Sequence, residues 1–307
     1  MERSVHLTVA LCTHNRSALL RNTLQAFTRL EIPAGVTWEV VLVNNGSTDD
    51  TVATIADFRE SLPLCVVYEP NLGKSNAANA AVGATTGEYI LWTDDDVLVD
   101  PLWLHAYHAA FAEWPGDAFF GGPVEPRFEG TPPLWLAGAL THVGNVYAVI
   151  DHGPHPIPLQ GELLPYGANM AMRASAQRQH MYDTRLGRRG THLLAGEDWQ
   201  VMKNMLTSGL TGRWVPGART RHVIPPDRQT LRYVRGYYRG NGASLARVRP
   251  SEGEAHFLGR PRWLWREAIS NEIAYRLRRF YAPSERWSEN LKRAAVAWGM
   301  LQLGPRR

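Results

Sequence analysis

Cysteine is scarce in this 307-residue sequence, which contains only Cys12 and Cys65. Two thiols cannot build a disulfide framework, and these two do not follow the spacing of a metal-binding motif. The sequence also lacks an apolar run of about 18 residues, the length that a membrane-spanning helix requires. Its first residues do not have the pattern of a signal peptide. We therefore expect a globular protein with reduced thiols that acts in the cytoplasm.

Aspartate is absent from the last 80 residues, which leaves a strongly basic segment. Residues 228–307 contain 17 Lys and Arg against six Glu, a net charge of +11, whereas the rest of the chain carries −7. Four arginines there are spaced as on one helical face, and tryptophans follow them: Arg228, Arg232, Arg235, Arg239, Trp263, Trp265 and Trp287. Two interpretations stay open: peripheral attachment to the anionic inner face of the cell membrane, and a solvated face whose tryptophans pack on the protein. Nucleic acid is not an expected partner, because no base-reading motif is present.

Apolar strand patterns alternate with helical patterns over the first hundred residues. The strands are predicted at 5–11, 39–43, 64–68 and 88–93, and the helices between them at 17–30, 49–58 and 75–84. This alternation predicts an α/β fold with a mostly parallel sheet and right-handed crossovers. Residues 123–168 have weak periodicity and predict long loops and short strands. Further helices are predicted at 197–208, 227–247, 263–281 and 285–301.

Polar residues follow each predicted strand of this sheet. Ligands of open α/β sheets bind beyond the carboxyl ends of the strands, so these residues are expected to form one site. They are Thr13, Asn15 and Arg16 after the first strand, Asn44 after the second, Lys74 after the third, and Asp94, Asp95 and Asp96 after the fourth.

Three adjacent carboxylates repel one another unless a cation neutralises them. A divalent metal, Mn²⁺ or Mg²⁺, is the usual partner, and it would also bind diphosphate oxygens. The alternative is an acidic helix N-terminus, but Asp100-Pro101 can serve as that cap by itself. The triplet therefore favours a metal site.

Three further positions are candidates for chemistry. The Gly-Lys-Ser at Lys74 could meet phosphate with backbone N–H groups and a charge, or could be an ordinary helix cap. One residue of the Glu197-Asp198 pair could act as general base, or both could simply complement a helix dipole. His222 could be a third metal ligand, because neutral imidazole suits Mn²⁺, or a structural hydrogen-bonding group.

Taken together, seven segments resemble the bacterial family 2 glycosyltransferases, which have the GT-A fold. They follow the family's order over roughly residues 5–245: Cys-Thr-His-Asn-Arg at 12–16, Val-Asn-Asn-Gly-Ser-Thr-Asp at 43–49, Asn-Leu-Gly-Lys-Ser-Asn-Ala-Ala-Asn at 71–79, the Asp triplet with Pro101, Gly-Ala-Asn-Met-Ala-Met-Arg at 167–173, Gly-Glu-Asp at 196–198, and His222 to Tyr238. The resemblance implies a GT-A catalytic domain at 1–226 and a helical C-terminal region at 227–307. Within the catalytic domain it implies a donor half at about 1–122 and an acceptor half at about 123–226.

The resemblance also implies roles for individual residues. Thr13, Asn15, Arg16, Asn44, Lys74 and the Asp triplet would bind the nucleotide-sugar, with Asp96, Asp94 and His222 as metal ligands. Gly167, Ala168, Asn169 and Met170 would border the sugar and acceptor. Asp198 would be the general base, and Glu197 would assist it or contact the acceptor.

One position departs from the family pattern. Asn44 stands where the family usually has an Asp that accepts a hydrogen bond from the base. An Asn can accept the same bond through its amide oxygen, without charge. We expect a UDP- or dTDP-sugar donor.

The activity implied is an inverting, metal-dependent transfer of a sugar to an acceptor hydroxyl, in the synthesis of a polysaccharide, glycolipid or natural-product glycoside. Asp198 would take the hydroxyl proton while the metal stabilises the leaving diphosphate. A sugar-phosphate nucleotidyltransferase is the first alternative, although residues 12–17 do not form the Gly-rich loop that it needs. A non-catalytic membrane-surface protein that retains the fold is the second.

Overall fold

The computed structural model describes residues 5–185, 196–248 and 256–302. These residues form two compact units. The first, called the α/β unit, comprises 5–127, 148–185 and 196–223, and the second, called the helical unit, comprises 128–147, 224–248 and 256–302. The predicted domain boundary at residue 226 stays a prediction.

The described elements follow one another along the chain in this order: β1 (Val5–Thr13), α1 (Ser17–Phe27), β2 (Val36–Asn44), α2 (Thr51–Ala56), β3 (Leu64–Tyr68), α3 (Lys74–Ala84), β4 (Tyr89–Thr93), β5 (Val97–Val99), α4 (Trp103–Glu113), β6 (Phe119–Gly121), β7 (Val124–Phe128), α5 (Leu134–Val143), β8 (Asn169–Arg173), α6 (Ala174–Gln179), α7 (Glu197–Thr207), β9 (Gly212–Trp214), β10 (Thr220–Ile224), α8 (Leu231–Val248), β11 (His256–Phe257), β12 (Arg260–Pro261), α9 (Arg262–Arg278) and α10 (Ser284–Gln302).

A seven-stranded sheet organises the α/β unit, with the strand order β3-β2-β1-β4-β8-β6-β9. The first four strands in this order are parallel, whereas β8 is antiparallel to both of its neighbours. A smaller sheet has the order β5-β10-β7. The predicted α/β fold with a mostly parallel sheet is confirmed, and the carboxyl ends of β1 to β4 lie at one edge.

Helices cover both faces of the large sheet. Leu7, Val9 and Leu11 of β1 pack in one cluster with side chains of α1 and α4, while Ala10 packs in another with side chains of α3 and α7. Successive residues of a strand point to opposite faces, so a strand covered on both sides must be apolar throughout. This explains why the central strands have continuous apolar runs.

Helix α5 lies in a region for which the sequence predicts loops and short strands, so that prediction is wrong for residues 134–143. The helix begins directly after Pro133 and buries Leu136, Ala139 and Val143 on one face. This spacing is helical, but it extends over only ten residues. Such a short window gives a weak periodic signal.

The helical unit is held together by close contacts between α5, α8, α9 and α10. Trp287 of α10 is buried, and its ring lies 5.9 Å from Trp135 and 5.8 Å from Tyr275 between ring centroids. A Cβ atom at Gly242 of α8 would overlap the carbonyl oxygen of Val296, and one at Gly299 of α10 would overlap that of Arg239. The backbones of α8 and α10 therefore touch, and only glycine fits at these two positions.

In the ranges of the chain that the structure describes, no helix is both long and apolar enough to cross a membrane.

We predict that Gly299→Ala lowers the melting temperature of the protein, because the added methyl group must push α8 and α10 apart at a cost of about 1–3 kcal/mol. Gly236→Ala is the matched control in α8, where a Cβ would meet nothing within 4 Å. That substitution is expected to stabilise the helix by up to about 1 kcal/mol, through helix propensity. Equal shifts for the two variants in thermal unfolding would contradict the close packing.

Candidate active site

The loops that follow β1 and β2 are joined by hydrogen bonds at the carboxyl edge of the sheet. The Asn45 N–H donates to the carbonyl of Thr13 (2.9 Å), and the Thr48 N–H donates to the side-chain oxygen of Asn15 (2.7 Å). Asn15 has a φ of 53°, a left-handed conformation that asparagine tolerates better than most residues. The predicted nucleotide loop is thus held in one conformation by its neighbour.

Asn44 and Asn45, at the end of β2, make different hydrogen bonds. The amide oxygen of Asn44 accepts the Ser47 N–H (2.9 Å), which leaves one of its two lone pairs for another donor. Asn45 accepts the Gly73 N–H (2.8 Å) and donates to the Glu69 carbonyl (2.8 Å). Asn45 therefore fixes the loop that leads into α3.

Asp95 links β4 to the first strand and helix. Its carboxylate accepts hydrogen bonds from the Thr13 hydroxyl (2.8 Å) and the Arg16 guanidinium (2.5 Å), and its carbonyl accepts one from the Thr23 hydroxyl (3.0 Å). Burial raises the pKa of Asp95 to about 6, although Arg16 opposes this shift and Asp96 adds to it. These contacts indicate that Asp95 positions the predicted nucleotide loop.

Asp96 lies next to His222 because of the register of the small sheet. His222 of β10 pairs with Val97 of β5, the residue after Asp96, and the Val223 N–H donates to the Asp96 carbonyl (2.8 Å). The Nε2 atom of His222 is 3.3 Å from the Asp96 carboxylate, whose other oxygen is 3.1 Å from Arg16. The structure therefore brings the predicted metal ligands Asp96 and His222 together.

Lys74 joins three carboxylates from two parts of the chain. Its ammonium nitrogen is 3.3 Å from Asp94, 3.7 Å from Glu197 and 3.6 Å from Asp198. Asp94 follows β4, whereas Glu197 and Asp198 form the first turn of α7. The donor-side and acceptor-side carboxylates predicted from sequence thus meet at one cation.

The carboxylate of Asp198 lies directly over the backbone of Gly167. A Cβ atom at residue 167 would overlap this carboxylate, so a larger residue there would displace the Asp198 side chain. Burial raises the pKa of Asp198 to about 6, and Glu197 and Asp94 add to the shift while Lys74 opposes it. A carboxyl group whose pKa lies this close to neutral pH suits a general base.

The three residues after Gly167 are buried. The Ala168 carbonyl accepts the Thr93 hydroxyl (3.1 Å), and Met170 is in the core of the sheet. The Asn169 amide oxygen accepts bonds from Trp103 and Tyr107, and its nitrogen donates to the carbonyls of Pro123 and Ala218. The hydrogen-bonding capacity of the Asn169 side chain is therefore fully used inside the protein, and the predicted acceptor contact of these three residues stays a prediction.

The structure places most of the predicted site residues in a network of two clusters, which are joined along the chain where Asp94 precedes Asp95. The cluster around Arg16 contains Thr13, Asp95, Asp96 and His222, and the cluster around Lys74 contains Asp94, Gly167, Glu197 and Asp198. Thr23 was missed by the sequence reasoning. It is fully buried, and it is the polar member of the buried face of α1, beside Leu20, Leu24 and Phe27. A threonine in an otherwise apolar stripe is the signal that would have identified it.

The distance between Asp96 and His222 can be compared with the spacing of two neighbouring ligands on one metal ion. Octahedral Mg²⁺ or Mn²⁺ with bonds of about 2.1 Å places adjacent ligand atoms about 3 Å apart, close to the observed 3.3 Å. In the described part of the chain, no group of three or more His, Cys, Asp and Glu residues is arranged to hold a metal ion. With only these two side chains, a divalent ion bound here would take its remaining ligands from phosphate and water.

Two polar atoms beside this network are buried without a hydrogen-bond partner among the described residues. They are the Oε2 atom of Glu197 and the hydroxyl of Tyr182. An unpaired buried polar group costs about 1–3 kcal/mol. A ligand hydroxyl or a water molecule that satisfied these atoms would be stabilised here.

Comparison with known proteins places these features in a family context. Residues 8–163 match the model of a family described as Glycosyl transferase family 2. The succinoglycan biosynthesis protein ExoM of Rhizobium meliloti is 24% identical over 236 residues, which cover 75% of this chain and 71% of that protein.

Two solved structures align with most of the chain. The mannosyltransferase PcManGT of Pyrobaculum calidifontis, in complex with GDP-Man and Mn²⁺, aligns over 98% of this chain and 88% of its own, with a TM-score of 0.62 and 18% identity. S. aureus TarS 1-349 in complex with UDP-GlcNAc aligns over 95% and 90%, with a TM-score of 0.53 and 14% identity. At this level of identity the likeness concerns the fold, and the expected GT-A architecture is confirmed.

We predict that Asn169→Ala destabilises the α/β unit by roughly 3 kcal/mol or more, because two buried donors and two carbonyls lose their partner at once. The exposed Asn22 of α1 provides the control, and Asn22→Ala should change stability by less than about 0.5 kcal/mol. Chemical unfolding of both variants measures the difference. A small loss at residue 169 would show that the four hydrogen bonds contribute little.

Proposed function

The chain belongs to glycosyl transferase family 2, whose model matches more than half of it, and from this we propose an inverting, metal-dependent transfer of a sugar from a nucleotide-diphosphate donor to an acceptor hydroxyl. The family and the enzyme class expected from the sequence are confirmed. One observation supports this mechanism most directly. The Lys74 ammonium lies within 3.7 Å of the carboxylate of Asp94, which follows β4, and of the two carboxylates in the first turn of α7. The predicted base and the predicted donor site therefore share one cation.

Asp198 is the proposed general base. Its side chain is largely buried yet keeps 17% of its surface exposed, so a hydroxyl can reach it. With a pKa of about 6 the group is mostly ionised at neutral pH and can accept a proton. As the hydroxyl proton passes to Asp198, the oxygen attacks the anomeric carbon, and the bond to the diphosphate breaks on the opposite side. Attack from the opposite side inverts the anomeric centre.

Asp96 and His222 are the residues that we propose hold Mn²⁺ or Mg²⁺, with Asp94 as a further candidate. A divalent cation bound there would stabilise negative charge on the leaving diphosphate. Arg16 keeps the Asp96 carboxylate in place through its contact at 3.1 Å. Lys74 is the second protein cation near the donor, and it lies 3.3 Å from Asp94.

Glu197 is the proposed contact for the acceptor. Its Oε2 atom is buried and has no hydrogen-bond partner among the described residues. A carboxylate oxygen in this state is a strong acceptor for a sugar hydroxyl. Glu197 would thus orient the acceptor while its neighbour Asp198 removes the proton.

We propose that the donor is a UDP- or dTDP-sugar. The free lone pair of the Asn44 amide oxygen can accept the imide N–H of uracil or thymine. Among the similar structures, one contains GDP-Man and another UDP-GlcNAc, so the fold accommodates both base types.

The proposed acceptors are a growing polysaccharide, a glycolipid or a small-molecule glycoside. ExoM is named for succinoglycan biosynthesis, which supports the first class. The proposed location is the cytoplasm, and a lipid-linked acceptor would bring the enzyme to the inner face of the cell membrane. We do not include nucleic acid among the partners.

A donor panel tests the proposal. We expect release of a nucleoside diphosphate from a UDP- or dTDP-sugar in the presence of Mn²⁺ and little release after chelation. Asp96→Ala and His222→Ala should raise the Mn²⁺ concentration needed for half-maximal rate, whereas the exposed His105→Ala of α4 should not. Release from no member of a UDP-, dTDP- and GDP-sugar panel would contradict the proposal, and pyrophosphate as product would indicate a nucleotidyltransferase.

We predict that Asp198→Asn lowers kcat by about 10²–10⁴-fold, because the amide cannot accept the hydroxyl proton. Donor binding, measured by thermal shift with nucleotide and Mn²⁺, should remain. Asp50→Asn, at an exposed carboxylate before α2, is the control and should keep full activity.

The pH profile provides an independent check. Asp198 faces Lys74, Glu197 and Asp94, and its pKa is about 6, so the rate should fall about tenfold per unit below pH 6 as the base becomes protonated. Asp95 also has a pKa of about 6. If the fall near pH 6 persisted in the residual activity of Asp198→Asn, it would belong to Asp95, and the assignment of the base would be wrong.

A further inference from the structure

Helix α9 has an apolar stripe on the side opposite to its packed face. The packed face consists of Leu264, Ala268, Asn271 and Tyr275, which are buried at alternating spacings of four and three residues. On the other side the exposed residues follow one another at one-turn intervals: Ile269 (47% exposed), Ile273 (54%) and Leu277 (59%), with Phe280 (90%) just beyond the helix end. Folded proteins seldom leave a contiguous apolar stripe in water without a binding role.

Arginines share this exposed side of the helix. At 100° per residue, Arg262, Arg266 and Arg276 fall within about 60° of the line through the stripe, and all three are exposed. The carboxylates of α9, Glu267 and Glu272, fall about 100° or more away from that line. Glu272 also pairs with Arg276 at 2.8 Å and with Arg235 at 3.2 Å. The exposed side of α9 therefore combines apolar side chains with positive charge.

We propose that this side of α9, called the α9 face and defined by Arg262, Arg266, Ile269, Ile273, Leu277 and Phe280, binds the surface of an anionic lipid bilayer. The helix would lie in the plane of the interface, with the apolar side chains between the headgroups and the first part of the acyl chains. The long arginine stems allow the guanidinium groups to reach lipid phosphates at the same time. This binding does not depend on the proposed transfer reaction.

Charge favours the bilayer over a second copy of the chain. Two copies that paired through the α9 face would place arginines against arginines, and like charges across an interface disfavour association. An anionic bilayer supplies the opposite charge over the whole length of the helix. Each basic residue near such a surface strengthens binding about fivefold.

The residues that form the α9 face differ from those that the sequence suggests for membrane binding. The sequence pointed to tryptophans, but Trp287 is buried, and the Trp265 indole donates to the Phe257 carbonyl at 2.9 Å. Arg235, from the predicted arginine stripe, lies over the Tyr275 ring at 5.1 Å and pairs with Glu272. These side chains make contacts inside the helical unit. In our proposal the exposed isoleucines and leucine, and not the tryptophans, contact the membrane.

Vesicle sedimentation with the full chain tests the proposal, without donor or acceptor. We expect the protein to bind vesicles of phosphatidylcholine containing about one-third phosphatidylglycerol and to bind pure phosphatidylcholine far more weakly. The triple variant Ile269→Ser/Ile273→Ser/Leu277→Ser should lose binding. Its control is Val52→Ser, at a 64% exposed aliphatic side chain of the α/β unit, which should bind like the wild type.

The charge contribution is tested separately. Arg262→Gln/Arg266→Gln should lower the partition coefficient on anionic vesicles about 25-fold, fivefold for each arginine. Arg29→Gln/Arg59→Gln removes the same charge from exposed positions of the α/β unit and should have little effect. All these positions are exposed, so unchanged melting temperatures should show that the variants fold.

Two results would overturn the proposal. One is that the triple variant binds anionic vesicles as strongly as the wild type does. The other is no binding of the wild type to anionic vesicles, and self-association in sedimentation velocity that the triple variant abolishes would then identify a second copy as the partner. Because neither measurement uses a sugar donor, failure here leaves the proposed transfer reaction untouched, and failure of the donor panel leaves the α9 face untouched.

Discussion

Arg16 and Lys74 hold five carboxylates at the carboxyl edge of the sheet. Arg16 contacts Asp95 and Asp96, while Lys74 contacts Asp94, Glu197 and Asp198. Without these cations the three consecutive aspartates would repel one another, and the first turn of α7 would carry two buried charges near a third. The two ion-paired groups thus fix the end of β4 relative to α1 and α3 on one side and α7 on the other. The geometry of the site depends on this neutralisation more than on any single ligand.

Much of this site could be predicted because parallel strands place their carboxyl ends together. Apolar runs identified β1 to β4, and the residues that follow them therefore had to be neighbours. The contact between Asp96 and His222 was out of reach of that reasoning, since it comes from the antiparallel register of two short strands more than 120 residues apart. The roles of Thr23 and Asn169 were hidden for another reason: each depends on which side chains meet inside the core.

In the helical unit, amino-acid composition alone does not identify the residues that form an interface. Arginine and tryptophan are common in the C-terminal segment, and their abundance indicated an interface without saying which residues form it. Trp287 is instead buried inside the unit, where its ring meets those of Trp135 and Tyr275. Which side of α9 faces outward becomes clear only once its packed face is known.

The balance of charge at the sheet edge has a kinetic consequence. Among the described residues of the network, five carboxylates are paired with two permanent cations, so the protein groups of the site are electronegative at neutral pH. A nucleotide diphosphate that arrived alone would be repelled by it. The proposed donor would meet less of this repulsion if a divalent cation neutralised part of its diphosphate charge before it arrived.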